Sequence, residues 1–245
     1  MPYDGSAKRA GRQDMAELFK QKHWDSKPVS GDLVIIGVAP LQRRTEDTIA
    51  AALDDAAKKA AMFYGVTVQS LSIDNEGLGR FDQYFSRQID LSYDTGYQKY
   101  IDSFVFDKET DVFIEKNNAF VRVHLQTEIP LFVEYESAFI KRRGPAWISS
   151  PPASISGYMA AVGQSDAYRY YSDSIMASYK SAAGALITRV KSEMQTKHDA
   201  YEISGTTLAS NVSIEKSSGT LREFFVIEIW IDPKDNSVWT LAVAK

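Results

Sequence analysis

One offset relates two distant stretches of this chain and restricts its folding more than composition does. Shifting the sequence by 126 residues lays Gly37 on Gly163, Ile49 on Ile175, Leu53 on Tyr179, Ala56 on Ala182, Ala57 on Ala183 and Ala60 on Leu186. Four of the helical positions share one side in both copies, so what recurs is a packing pattern: a strand ending in glycine, then an alanine-bearing helix able to approach a sheet closely. A second correspondence precedes it. Trp24 and Pro28 in "WDSKP" have the W-x-x-x-P spacing of Trp147 and Pro151 in "WISSP", with 13 residues from tryptophan to glycine in the first copy and 16 in the second. "GPAWISSPP" at 144–152 therefore reads as the leader of a second module, its prolines fixing an extended approach and its tryptophan covering one end of a core.

The expected fold class is α+β: two tandem repeats, each an alanine-rich helix packed on a mostly antiparallel sheet. The boundaries are a flexible lead at 1–19, a first module at 20–142 and a second at 143–245. In the first, Leu33 to Val38 form a strand, and 46–64 a helix with Thr45 as N-cap and Gly65 as C-cap. Ile49, Leu53, Ala56, Ala60 and Phe63 or Tyr64 trace its apolar face, with Asp54, Asp55, Lys58 and Lys59 on a wet back. "VTVQSLSI" at 66–73 alternates as a strand, and residues 81–101 fit strand or irregular helix. A meander follows with a turn at Lys116, Asn117 and Asn118, then a strand over 131–140. In the second module 157–163 is a strand, 165–190 a helix and "VKSEMQTK" an alternating stretch. The close is a hairpin turning at 233–236, with Phe224, Val226, Glu228, Trp230 and Asp232 on one face and Phe225, Ile227, Ile229 and Ile231 on the other.

Composition and motif spacing exclude several chemistries. An apolar content of 44% suffices for a buried core, and a formal net charge of −4 implies no general pull toward nucleic acid. The chain has no cysteine, so disulfides, thiolate metal sites and a cysteine nucleophile are all excluded. No window approaches the ~20 apolar residues of a membrane-spanning helix. There is no glycine-rich phosphate loop after Val34–Val38, no Walker loop and no G-x-S-x-G. Arg43 and Arg44 read as a solvated loop. His23, His124 and His198 lack metal-ligand spacing, so no metal and no cofactor is expected. The carboxylate pairs Glu134 with Glu136, and Glu228 with Asp232, share strand faces but read as solvated, and no catalytic residue is assigned. "KRRG" at 141–144 coincides with the module boundary, so no nucleic-acid partner is expected. The residues marked for an interface or pocket are Trp24, Trp147, Tyr170, Tyr171, Glu228, Trp230, Asp232 and Trp239.

"PAWISSPP", "YMAAVGQS" at 158–165, the helix around Ala177, Ala182 and Ala183, and "EIWIDPKDNSVWTLAVAK" from 228 together resemble the lipoprotein-20 family of bacterial envelope lipoproteins and the related amino-terminal module of flagellar assembly proteins. The match is best over 145–245, and the first copy is diverged. It lacks counterparts of Trp230 and Asp232 in "DVFIEKNNAFVRVHL". The resemblance implies a non-enzymatic protein of the periplasm or outer membrane, with envelope or motility proteins, or a second copy of itself, as partners. Membrane attachment would come only through a lipid anchor absent from this sequence; without export the location is the cytoplasm. The alternative reading is a small-ligand-binding or enzymatic module using a cleft between the modules. Reading the gene upstream of Met1 tests the resemblance: an apolar signal followed by a cysteine is expected, and a genuine start at Met1 removes the lipoprotein assignment.

Overall fold

The computed structural model describes residues 32–75, 86–115, 117–127, 144–199 and 212–245. Trp24, Pro28, His23, Glu134, Glu136, the expected strand 131–140 and the basic residues 141–143 lie outside them. The architecture is mixed α+β. In order it comprises β1 (Asp32–Pro40), α1 (Thr45–Tyr64), β2 (Val66–Asn75), β3 (Ser86–Tyr93), a 3-10 helix (Tyr97–Ser103), β4 (Phe104–Val105), β5 (Val112–Glu115) and β6 (Asn118–Gln126). There follow α2 (Ala146–Ser149), β7 (Ser154–Ile155), β8 (Tyr158–Ser165), α3 (Tyr171–Asp199), β9 (Val212–Leu221), β10 (Phe225–Ile231) and β11 (Val238–Ala244). Of the stretch 81–101, residues 81–85 lie outside the described residues, and 86–101 hold β3, a short turn and the start of the 3-10 helix.

The strands form three antiparallel sheets: β1-β6-β4 with β5 also on β6, β10-β11-β8-β7, and β3-β2-β9. The chain divides into two compact units that interleave along the sequence. One takes described residues within Met1–Ala60, Tyr97–Ser137 and Arg169–Ser172, the other those within Ala61–Gly96, Ala138–Tyr168 and Asp173–Lys245. The pairing of β2 with β9, Val66 opposite Leu221 through Asn75 opposite Val212, joins strands from either side of residue 143.

In the first unit β1 lies along β6 for its whole length, Gly37 opposite Val121. Leu33, Ile35, Phe120, Val121 and Val123 are buried there. The expected turn joins β5 to β6, with Asn117 at φ 63, a left-handed conformation that asparagine tolerates. α1 buries Ala52, Ala56, Ala57, Ala60 and Phe63, whereas Tyr64 is 53% exposed, which decides between the two aromatics. Two expectations for this helix are corrected. Thr45 lies inside the first turn, and the hydroxyl closing the helix start belongs to Thr48, which accepts from the Gln42 N–H at 2.9 Å and donates to the Arg44 carbonyl at 3.0 Å. The back is wet at the Asp54–Lys58 ion pair, but Lys59 is only 4% exposed, because the helix lies along the margin of β1 and the lysine turns inward.

In the second unit the hairpin of β7 and β8 turns through Ser156 at φ 49 and Gly157 at φ 84, the two positive φ values of a tight two-residue turn. α3 begins at Tyr171, not at 165, and runs on to Asp199. The stretch "VKSEMQTK" is therefore helical, as its lysines, glutamate, methionine and glutamine favour and as no glycine or proline prevents. The faces of the closing hairpin also need correction. Register between β10 and β11 shifts between Val226 and Glu228, so Ile227 is an extra residue in a bulge. Phe225 opposite Val243 then shares a face with Glu228 opposite Leu241 and Trp230 opposite Trp239. Phe225 meets the Tyr158 ring at 5.7 Å on that face, while Phe224 meets Tyr179 of α3 at 6.3 Å on the other.

Three contacts recur at the 126-residue offset. A Cβ on Gly37 would stand 1.9 Å from the Ala52 carbonyl oxygen, and one on Gly163 would stand 2.0 Å from that of Ser178. The Gln42 N–H bond to Thr48 is matched by Tyr168 N–H to Ser174 Oγ at 2.8 Å. The Val38 N–H bond to Asp55 at 2.8 Å is matched by Gln164 N–H to Ser181 Oγ at 3.3 Å. Gly163→Ala and Gly37→Ala should each lower the unfolding free energy in urea by about 1–3 kcal/mol through overpacking. Gly65→Ala, where an added Cβ meets nothing within 4 Å, should stay within about 0.5 kcal/mol of wild type.

Candidate functional site

The residues marked in the sequence separate into three places. Trp147, Trp230 and Leu241 form a buried cluster on the face of the β8 sheet away from α3, with Ile148, Ile155, Val162 and Trp239 packed around them. The leader "GPAWISSPP" builds this cluster. Pro145 starts the single turn of α2, Gly144 lets the Trp230 ring approach to 3.4 Å of where a Cβ would stand, and Trp147 turns inward. Its indole N–H donates to Glu228 at 2.5 Å, so this carboxylate anchors a core tryptophan. Asp232 is a turn residue whose side chain accepts from the Lys234 N–H at 2.8 Å. Tyr171 is buried against Phe120 in the first unit, and the Arg169 guanidinium lies 5.3 Å from the Tyr170 ring centroid. Trp24 lies outside the described residues.

Other charges serve structure. The carboxylate of Asp111 takes the Arg122 Nε–H at 2.8 Å and the Asp107 N–H at 2.8 Å, holding the loop before β5 against β6. Glu223 accepts from the Tyr158 hydroxyl at 2.7 Å and pairs with Lys245 at 2.9 Å. Burial raises the Glu223 pKa, but the Tyr158 bond and the Lys245 ammonium outweigh it and hold the carboxyl below its ordinary value. His124 on β6 has a buried Nδ1 with no hydrogen bond, 3.9 Å from Asp32. Burial and the Arg122 charge push its pKa below the ordinary 6.5, against the opposing pull of Asp111 and Asp32. Among the described residues no group of three or more His, Asp or Glu is placed to hold a metal ion, and no helix is long and apolar enough to cross a membrane.

The second unit also holds an open trough of about 560 Å³. It is lined by Gln164 and Ser165 at the end of β8, Asp166 and Tyr168 beyond it, Ala177, Lys180 and Ser181 of α3, and Ile89 of β3. The Tyr168 N–H bond to Ser174 holds the loop in position and leaves the tyrosine side chain 57% exposed. The Asp166 carbonyl accepts from the Ser165 hydroxyl at 2.8 Å, but among the described residues the side chains of Asp166, Tyr168 and Lys180 make no hydrogen bond or ion pair. None of these residues is among those the sequence marks for an interface or pocket. The overlooked signal was the offset itself, which replaces Asp55 and Lys59 with Ser181 and Ala185.

No family model matches this chain, and no curated protein or solved structure matches it.

Two measurements check the structural assignments. Trp147→Phe removes the donor to Glu228 and leaves part of the indole's space in the cluster unfilled, and should cost about 2–4 kcal/mol in urea unfolding. For His124, a depressed folded-state pKa means that the unfolded chain binds the proton first. Its contribution is present above pH 6.5 and is lost as pH falls from there toward the folded-state pKa. His124→Gln should flatten that part of the stability profile; a profile unchanged from wild type would show that His124 is not its source.

Proposed function

We propose that this chain is a non-catalytic protein of the bacterial envelope, built of two tandem α+β copies, that binds other proteins or itself in a surface or flagellar assembly. The recurrence of three contacts at one offset supports the tandem reading, as does the likeness of "PAWISSPP" and the closing hairpin to the lipoprotein-20 pattern. The observation that carries the binding role is the trough. Asp55, Lys59, Asp111, Arg122, Glu223 and Glu228 are all engaged inside the fold, whereas Asp166, Lys180 and the exposed ring of Tyr168 converge on an open, polar depression. A shallow surface combining an exposed tyrosine with unengaged charges of both signs suits a protein partner better than a small apolar ligand, which favours an enclosed pocket.

Crosslinking in native membranes, with wild type beside a Tyr168→Ala, Lys180→Glu double variant, tests this reading. Wild type should capture a defined partner or its own copy, and the variant should lose it. Fractionation wholly with cytosol and capture of nothing would sink the proposal. A thermal shift with a sugar, nucleotide or metal that depends on Lys180 would replace it with a small-ligand role.

A further inference from the structure

We propose that the edge of β8 that runs into the trough, unpaired among the described residues, pairs with an extended polypeptide segment of a partner, which joins the sheet as an added strand. This rests on the protein-binding reading above and names the chemistry of the occupant.

The argument comes from comparing β8 with β1, which occupies the same place beneath its own helix. The edge of β1 away from β6 is closed by two side chains of α1. Asp55 accepts from the Val38 N–H at 2.8 Å, Lys59 donates to the Ile36 carbonyl at 2.7 Å, and the two are bonded to each other at 2.6 Å. The pair does the work of a neighbouring strand, supplying one acceptor and one donor to main-chain groups two residues apart. At the 126-residue offset Asp55 becomes Ser181 and Lys59 becomes Ala185. Ser181 still reaches the Gln164 N–H, at a longer 3.3 Å, but alanine offers no donor for the carbonyl of Val162, the counterpart of Ile36.

Two bonds fix which way the main chain of β8 points. The Ala160 N–H donates to the Ala153 carbonyl at 3.1 Å and the Gln164 N–H to Ser181, both on the side away from β11. Groups alternate along a strand, so Val162, midway between them, turns its N–H and C=O to that same side. β7 pairs only with Tyr158 and Met159, and no described strand pairs with β8 on that side beyond them. Among the described residues nothing is bonded to Val162 there. The edge thus offers a donor and an acceptor at Val162 and a further acceptor at Gln164, which an extended peptide backbone complements in register. The walls suit its side chains: Ile89 and Ala177 present apolar surface, while Lys180 and Asp166 meet polar or charged flanks. Natural edges are usually covered or charged, and β1 shows this fold doing so with a buried ion pair. On β8 the Arg189 side chain of α3 reaches only the Ala160 carbonyl, at 3.5 Å, so among the described residues the edge stays unpaired at Val162 and at the Gln164 carbonyl, where the strand runs into the trough.

The decisive variant restores the missing plug. Peptides selected on the full chain from a phage-displayed library of random short sequences would be titrated into isotope-labelled protein. Amide shifts and slowed hydrogen exchange are expected at Val162 and its neighbours in β8. The double substitution S181D/A185K should weaken that binding about tenfold or more. Val162→Pro, which removes the edge donor without touching the β11 ladder, should weaken it as well. Exchange protection in the wild-type protein keeps the idea testable if either variant fails to fold. The inference falls if no selected peptide perturbs Val162, if S181D/A185K binds as well as wild type, or if a carbohydrate fills the trough without protecting that amide. Should S181D/A185K capture the membrane partner as efficiently as wild type, the added strand is refuted while the protein-binding reading stands. Capture of nothing by either removes that reading itself.

Discussion

A helix backbone resting directly on a strand glycine is the constraint from which most of this fold follows. At Gly37 and again at Gly163 a helix carbonyl occupies the space a methyl group would need. That approach requires small residues on the facing stripe, and Ala56 and Ala182 supply them within 3.0 and 2.8 Å of the notional Cβ positions. It also brings the next helical residues over the margin of the strand, so that positions 55 and 59, or 181 and 185, stand beside main-chain groups rather than in solvent. A helix one side chain further away would leave those positions on an ordinary wet face.

From this shared geometry the two strand–helix contacts diverge chemically. In the first, an aspartate and a lysine are carried into a region where Lys59 is 4% exposed. Desolvating two charges is expensive, and the arrangement is sustained because the Coulomb attraction is joined by bonds to main-chain groups that would otherwise lack partners. In the second, serine and alanine avoid the desolvation cost, and among the described residues no side chain answers the carbonyl of Val162. The same strand–helix frame is therefore a closed edge in one place and an open trough in the other.

The closing hairpin shows how a single inserted residue redistributes chemistry. Strict alternation places Phe224 with Trp230, but the bulge at Ile227 reverses the faces on its near side. Phe225 then joins the aromatic face with Tyr158 and Trp230, and Phe224 turns to Tyr179 beneath α3. Glu228 stays with the tryptophans, where the Trp147 indole answers its charge with a hydrogen bond. A carboxylate that reads in the sequence as half of an acid pair is in the fold an anchor for the leader.

Sequence alone determined the α+β class, the glycine–alanine contacts at Gly37 and Gly163, the β5–β6 turn at Asn117 and the closing hairpin, because each depends on residues near one another or on a period visible along the chain. It also set the order of the second leader, with tryptophan before proline. Tertiary structure decided what no local pattern carries. The pairing of β2 with β9 depends on strands some 146 residues apart, Val66 to Val212. The inward turn of Lys59 depends on where a helix lies relative to a strand edge, not on the polarity of its own face. The length of α3 was settled by continued helix-forming residues that a short alternating stretch had disguised. The trough at Gln164, Lys180 and Ser181 lies where the bonds that Asp55 and Lys59 make to β1 have only the longer Ser181 bond to Gln164 as a counterpart, a difference that appears only once each helix is placed beside its strand.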